Sequence, residues 1–322
     1  MKDTLLAFPS QFLEGYELTR NLESYKNHNI VWCGMGGSSL VCDIVKDAFY
    51  MDEKPTKFVS VRDYFLPHWV GSEEVIIIAS YSGNTEEAIS CFFDALGKKA
   101  PMIVITHGGK LLELAQEKGI TTIHLPECPQ PRLALGYFFG VLLGIMEKCH
   151  HLEYAEKRLQ NLTDLLTTHQ DSMIEFSLFL TEGIKNRIPM IYAPEGYGSC
   201  AHVSKVNINE NSKTPCISGT LPEMNHNEMI SLISPLWQPV MILIKGKHAF
   251  ERTLHRGDTM GALLQEYDIP ILVMELIGEE RYEEILSGIC VSLWLSYHLA
   301  LEYGIDPVPV DLIEEFKMRL NS

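Results

Sequence analysis

The sequence predicts an α/β fold in two domains, each built on a parallel sheet. Three observations carry that expectation. Short runs rich in Ile and Val alternate with amphipathic stretches along the whole chain. Most of these runs lead into Gly, Ser or Asn and then a helical pattern. A stretch nearly free of Gly and Pro separates two similar halves. Continuous apolar runs mark strands covered on both faces, which arises where crossover helices flank a parallel sheet.

In the first half the expected strands are Ile30–Cys33, Lys57–Val61, Val75–Ser80, Met102–Thr106 and Thr121–Leu125. Glu86–Leu96 and Lys110–Lys118 have helical spacing, and Gly119 suits the left-handed residue that ends a helix. From about residue 138 to 185, Leu159, Leu162, Leu165 and Leu166 keep the helical period, so this segment is expected as a helical connector. The domain boundary is placed near 152. Residues 1–152 form the first domain; residues 153–322 hold the connector, the second domain and a tail. Strands resume at Met190–Ala193, Val240–Ile244 and Ile271–Leu276, and a long helix at Tyr282–Tyr303 precedes the tail Asp306–Ser322. The halves repeat one plan without a residue-level repeat.

Composition narrows the function. Among 322 residues, 26 Lys and Arg face 42 Asp and Glu, a formal charge of −16. Such a surface disfavours nucleic acid and anionic membranes, so an anionic substrate must be captured by a local pocket. The first residues lack the basic and apolar segments of a signal peptide. The apolar stretch Tyr137–Met146 is far short of the roughly 20 residues that span a bilayer. Eight scattered cysteines with no CxxC pair are expected as reduced thiols in a cytoplasm.

Two loops have the form of anion cradles. Gly34-Met35-Gly36-Gly37-Ser38-Ser39 follows a strand and opens a helix, where backbone can approach a ligand and free N–H groups face it. A ligand-free tight turn is the plain alternative. A dinucleotide fingerprint is the other, weakened by Ser39 in the third glycine's place and by Asp63 lying somewhat too far on. The second loop is Ser80-Tyr81-Ser82-Gly83-Asn84-Thr85, ahead of Glu86 and Glu87. An N-cap needs one hydroxyl; three with a Gly fit phosphate better.

Three further stretches carry acid–base or cationic groups. Arg132, beside Pro131, is either a solvated surface residue or a cation facing the crevice at the strands' C-terminal ends. Asn207–Lys213 and Leu221–Glu228 flank an apolar turn and are dense in Asn, Glu and His. Neither has the His spacing of a metal site; the alternatives are a polar loop or a proton shuttle. The tail around Lys317 reads alone as a solvated amphipathic helix end.

Taken together, Gly34–Ser38, Ser80–Glu87, Pro131–Tyr137, Asn207–Pro215 and Leu221–Glu228 resemble, in the same order, the bifunctional phosphoglucose/phosphomannose isomerases. The resemblance runs from about residue 30 to the C-terminus. It implies two sugar-isomerase (SIS) domains, each a five-stranded parallel sheet sandwiched by helices, in a homodimer with a shared active site. It implies a sugar-phosphate substrate, with phosphate on Ser80, Ser82 and Thr85 and the sugar beside Gly36, Gly37 and Ser38. Glu210 matches the catalytic base, His226 and Lys317 the ring-opening groups, and Arg132 the group that steadies the intermediate. His226 is donated by the partner subunit in relatives.

Aldose–ketose isomerisation suits these groups. A carboxylate moves one proton between C2 and C1, a His and a Lys exchange protons with the ring oxygen and O1, and a fixed cation stabilises the enediolate. No metal or organic cofactor is needed. The chain departs from the pattern at Val203-Ser204, where relatives carry Arg-Trp, at Cys42 for a frequent Gly, and at Val308 for a frequent Thr. That Thr hydroxyl is associated with use of the mannose epimer. The competing functions are a non-catalytic sugar-phosphate sensor and a nucleotide-dependent oxidoreductase.

Overall fold

The computed structural model describes residues 1–26, 28–49, 58–233 and 236–320. It divides into two compact units. One holds Leu6–Thr168; the other holds Met1–Leu5 and the chain from His169 onward.

After α1 (Lys2–Leu6) at the chain's start, the Leu6–Thr168 unit runs α2 (Gln11–Glu17), β1 (Asn29–Cys33), α3 (Leu40–Ala48), β2 (Phe58–Val61), β3 (Glu74–Ala79) and α4 (Glu86–Leu96). It continues with β4 (Met102–Thr106), α5 (Gly109–Lys118), β5 (Thr121–His124), α6 (Leu135–Lys148) and α7 (Ala155–Thr168). The five strands form a parallel sheet ordered β2-β1-β3-β4-β5, with Val31 beside Ile76 and Ile76 beside Met102. The five strands expected in this half are present; Lys57 lies outside the described residues. Gly119 ends α5 in the left-handed region at φ 64°, as expected.

Burial on both faces explains the unbroken apolar runs. Ile76, Ile78 and Val104 pack with Phe92 and Ala95 of α4 and Leu111 and Ala115 of α5. On the other face Trp32 meets Phe138 of α6 edge-on at 6.2 Å. Helices α2 and α6 touch backbone to backbone. A Cβ on Gly140 would stand 2.1 Å from the Phe12 carbonyl oxygen, and one on Gly144 would stand 2.2 Å from the Thr19 hydroxyl.

The second unit runs α8 (Gln170–Ile184), β6 (Ile188–Pro194), α9 (Gly198–Asn211), β7 (Ile217–Leu221), α10 (Met224–Asn227) and β8 (Pro239–Lys245). It ends with α11 (Glu251–Gln265), β9 (Ile271–Glu275), α12 (Arg281–Glu302) and α13 (Asp311–Leu320). Its parallel sheet is ordered β7-β6-β8-β9, so it has four strands among the described residues rather than the expected five. The reason is topological. The first unit inserts α5 and β5 between β4 and its long apolar helix α6, whereas the second passes from β9 straight into the long apolar helix α12. Strand β7 forms where the sequence reads as an apolar turn. The connector resolves into α6, α7 and α8, and the units divide after Thr168 rather than near 152, because α7 packs on α2 and α6. Residues Asn321 and Ser322 of the expected tail lie outside the described residues. Among the described residues α12 alone has the length and hydropathy to cross a bilayer, and 83% of that stretch is buried in the fold.

Candidate active site

Parallel strands end on one edge of their sheet, so the loops leaving β1, β3, β4 and β5 converge there. The β1 loop carries Gly36, Gly37 and Ser38. Gly37 lies against the Pro131–Ala134 turn, where a Cβ would stand 2.7 Å from the Arg132 nitrogen. Only glycine permits that approach. The Ser38 hydroxyl accepts the Tyr81 N–H at 3.0 Å, and the Ser38 carbonyl accepts the Trp32 indole N–H at 2.9 Å. The first expected loop is thus joined to the second and to the Arg132 turn.

The β3 loop is braced from within. The Ser80 hydroxyl accepts the Gly83 N–H at 3.1 Å and shares a 2.8 Å hydrogen bond with the Thr85 hydroxyl. Thr85 stands at the N-cap of α4 with an extended backbone, yet its side chain makes no capping bond. The capping reading of this stretch therefore does not account for its hydroxyl. Ser80 is buried and holds the loop's shape, while Ser82 is exposed at its tip. Tyr81 ties the loop down: its ring stacks on His107 at 5.3 Å, and its hydroxyl donates to the Pro126 carbonyl at 3.0 Å. Burial pushes the Tyr81 phenol up to about 12, so it stays a neutral donor.

The β4 loop closes from the other side. Gly83 has φ 69°, and a Cβ there would stand 1.7 Å from the Gly108 carbonyl oxygen. Gly109, at φ 69°, approaches Ser82 in the same way, with 2.2 Å from a Cβ to the Ser82 oxygen. Gly83→Ala is therefore expected to destabilise the protein by about 2–4 kcal/mol. Urea denaturation checks this, and an unchanged midpoint would refute the close approach.

Arg132 is 2% exposed, which excludes the solvated-surface reading. Gln11 holds its turn, donating to the Leu133 carbonyl at 2.9 Å and accepting the Gly136 N–H at 3.2 Å. A buried guanidinium must be matched by partners, so its charge is built in rather than incidental.

In the second unit Glu210 is half-buried on the last turn of α9, a helix where the sequence allowed a polar loop. Lys213, at φ 54°, closes that helix by donating its ammonium to the carbonyls of Glu210 at 2.8 Å and Asp306 at 3.0 Å. His226 is exposed on α10, which follows β7 through a cis Leu221–Pro222 bond. The helix is pinned on either side of it. Met224 is fully buried, and Glu228 accepts a hydrogen bond from the buried Tyr192 phenol, whose ionisation is pushed well above its ordinary range by burial and by Glu228. Lys317 pairs with Glu314 at 2.8 Å on α13, which has no buried residue.

The structure thus gathers Gly36, Gly37, Ser38, Ser80, Ser82, Thr85 and Arg132 at one sheet edge. Glu210, His226 and Lys317 stand on three separate helices of the second unit. Sequence reasoning missed His107 and the structural roles of Tyr81 and Lys213. Tyr81 is held by Pro126, His107 by Leu125, and Lys213 by Asp306 as well as by the nearby Glu210 carbonyl. Clefts of 840 Å³ beside Tyr16 and Glu147 and of 420 Å³ beside Phe176 and Val273 lie among other residues. The cradle is recognised by its donors, not by cavity size.

Residues 175–320 match the family model described as the bacterial phospho-glucose isomerase C-terminal SIS domain. The chain is 32% identical to the bifunctional phosphoglucose/phosphomannose isomerase of Caldicellulosiruptor bescii, over 99% of this chain and 98% of that protein. It is 33% identical to the D-glucosamine-6-phosphate 4-epimerase of Sulfolobus acidocaldarius, over 67% of this chain and 69% of that one. A solved structure, a hypothetical protein of Thermus thermophilus, shares the fold at TM-score 0.78 and 14% identity, covering 99% of this chain and 90% of its own.

Proposed function

The chain belongs to the bifunctional phosphoglucose/phosphomannose isomerase family, and from that membership we propose that it interconverts glucose 6-phosphate and mannose 6-phosphate with fructose 6-phosphate. The observation that carries this reading is the buried Arg132 joined through Gly37 to a hydroxyl-rich anion loop. Phosphate binds Ser82 and Thr85, with Ser80 bracing Thr85 and helix α4 adding its positive end. Gly36, Gly37 and Ser38 border the sugar. His226 and Lys317 open the ring, Glu210 carries the proton between C2 and C1, and Arg132 holds the enediolate charge. No metal or organic cofactor enters this chemistry. The exposure of His226 suits donation to a partner copy in a homodimer. Eight free, buried cysteines suit a reducing cytoplasm.

A coupled assay on the two aldose phosphates side by side, with product identified by NMR, tests the reading. Turnover of both to fructose 6-phosphate is expected, faster from glucose 6-phosphate because Val308 offers no hydroxyl. Val308→Thr is expected to raise the relative rate on mannose 6-phosphate roughly 5-fold, the worth of one hydrogen bond. Ligand binding without turnover would favour the sensor, and inversion at C4 would favour an epimerase.

A further inference from the structure

We infer that Asn207 and Asn211 act with Ser292 and Ser296 as a two-rung lock that sets the rotation of α9 and so aims Glu210. This deepens the isomerase reading and rests on Glu210 as the base. Asn207 donates its amide N–H to the Ser292 hydroxyl at 3.1 Å, and Asn211 donates to the Ser296 hydroxyl at 2.9 Å. All four residues are buried. The spacing is four residues on each helix, so the rungs stack one turn apart along the seam between α9 and α12.

Chemistry fixes the direction of each rung. Ser292 already donates to the Ile289 carbonyl at 2.8 Å, and Ser296 to the Leu293 carbonyl at 2.9 Å. Each hydroxyl therefore presents only an acceptor to the facing helix, and each Asn must turn its NH₂ toward it. Elsewhere the buried face of α9 is small or apolar, with Ala201, Val203 and Ile208. Cys200 seats against Gly288 of α12, where a Cβ would stand 2.6 Å from the Cys200 sulfur. That contact sets how closely the helices approach at the start of α9, while at its far end the rungs supply the directional contacts. A buried amide moved off its acceptor has no water to replace the bond, so the rungs discriminate between rotations.

The consequence falls on Glu210, which precedes Asn211 on the last turn. A rotation of about 10° displaces a group about 6 Å from the helix axis by about 1 Å. A 1 Å misplacement of a reacting group costs up to ~100-fold in rate. Lys213 sets where the helix stops; the rungs set which way it faces. Stability alone does not call for polar rungs, because apolar groups of similar shape hold such a seam as well.

The test uses the full chain. Asn211→Leu with Ser296→Ala is expected to keep the urea midpoint while lowering kcat at least ~10-fold. KM for glucose 6-phosphate should stay within about 2-fold, since the anion loop is untouched. The swapped pair, Asn211→Ser with Ser296→Asn, restores a bond across the seam and is expected to recover most of kcat. The lock is overturned if the apolar pair folds and turns over at the wild-type kcat, or if KM rises in step with the loss. Glu210→Gln, assayed alongside, separates the two claims: full activity in that variant removes the base itself, whereas a dead Glu210→Gln beside an active apolar pair removes only the lock.

Discussion

Glu210→Gln is expected to lower kcat for glucose 6-phosphate isomerisation by at least ~100-fold. The amide is nearly isosteric with the carboxylate but cannot take a proton from carbon. Lys213 closes the end of α9 through backbone carbonyls, which the substitution leaves in place, so the urea midpoint should not move. Exchange of the C2 hydrogen with deuterated water isolates the step. It should slow in parallel with turnover. Ordinary exchange in this variant would assign the proton to another group.

Arg132→Gln is expected to cost about 100- to 1000-fold in kcat, the scale of losing a donor aimed at developing negative charge. The enediolate oxygen becomes anionic only during reaction, so removal of the guanidinium should act on kcat far more than on substrate affinity. Because Arg132 is buried, stability must be measured alongside, and the kinetics read only on the folded fraction. Binding of inorganic phosphate provides the control. If phosphate affinity collapses while kcat survives, Arg132 belongs to the anion anchor and the intermediate is steadied elsewhere.

Much of the first sheet was legible because its strands are covered on both faces. The runs at β3 and β4 are unbroken apolar stretches, and nothing but a buried strand or helix tolerates them. Strand β7 was not legible. It lies at a sheet edge with Ile217 exposed and Gly219 in its middle, where a Cβ would stand 2.7 Å from the Tyr192 ring. The anion loops were legible as glycine and hydroxyl patterns before helices, since that pattern is the local cause of their shape. The burial of Arg132 was not, because it follows from tertiary placement. The rungs of α9 pair residues 85 positions apart, beyond any local pattern. The fifth strand expected of the second sheet is absent among the described residues because that expectation treated the two halves as equal. The second half omits one helix and strand pair that the first contains.

The anion loop is stitched by backbone approaches of Gly83 to Gly108, of Gly109 to Ser82, and of Gly37 to Arg132. It therefore exists only once the strands behind it have zipped into register, which makes its occupancy a report on the completeness of folding. A hexose phosphate at 100 times its dissociation constant would hold the folded chain by about 2.7 kcal/mol. Without the ligand that increment is absent, so the unliganded chain opens more often. It is expected to be cleaved faster in a limited-proteolysis assay than the chain held with hexose phosphate.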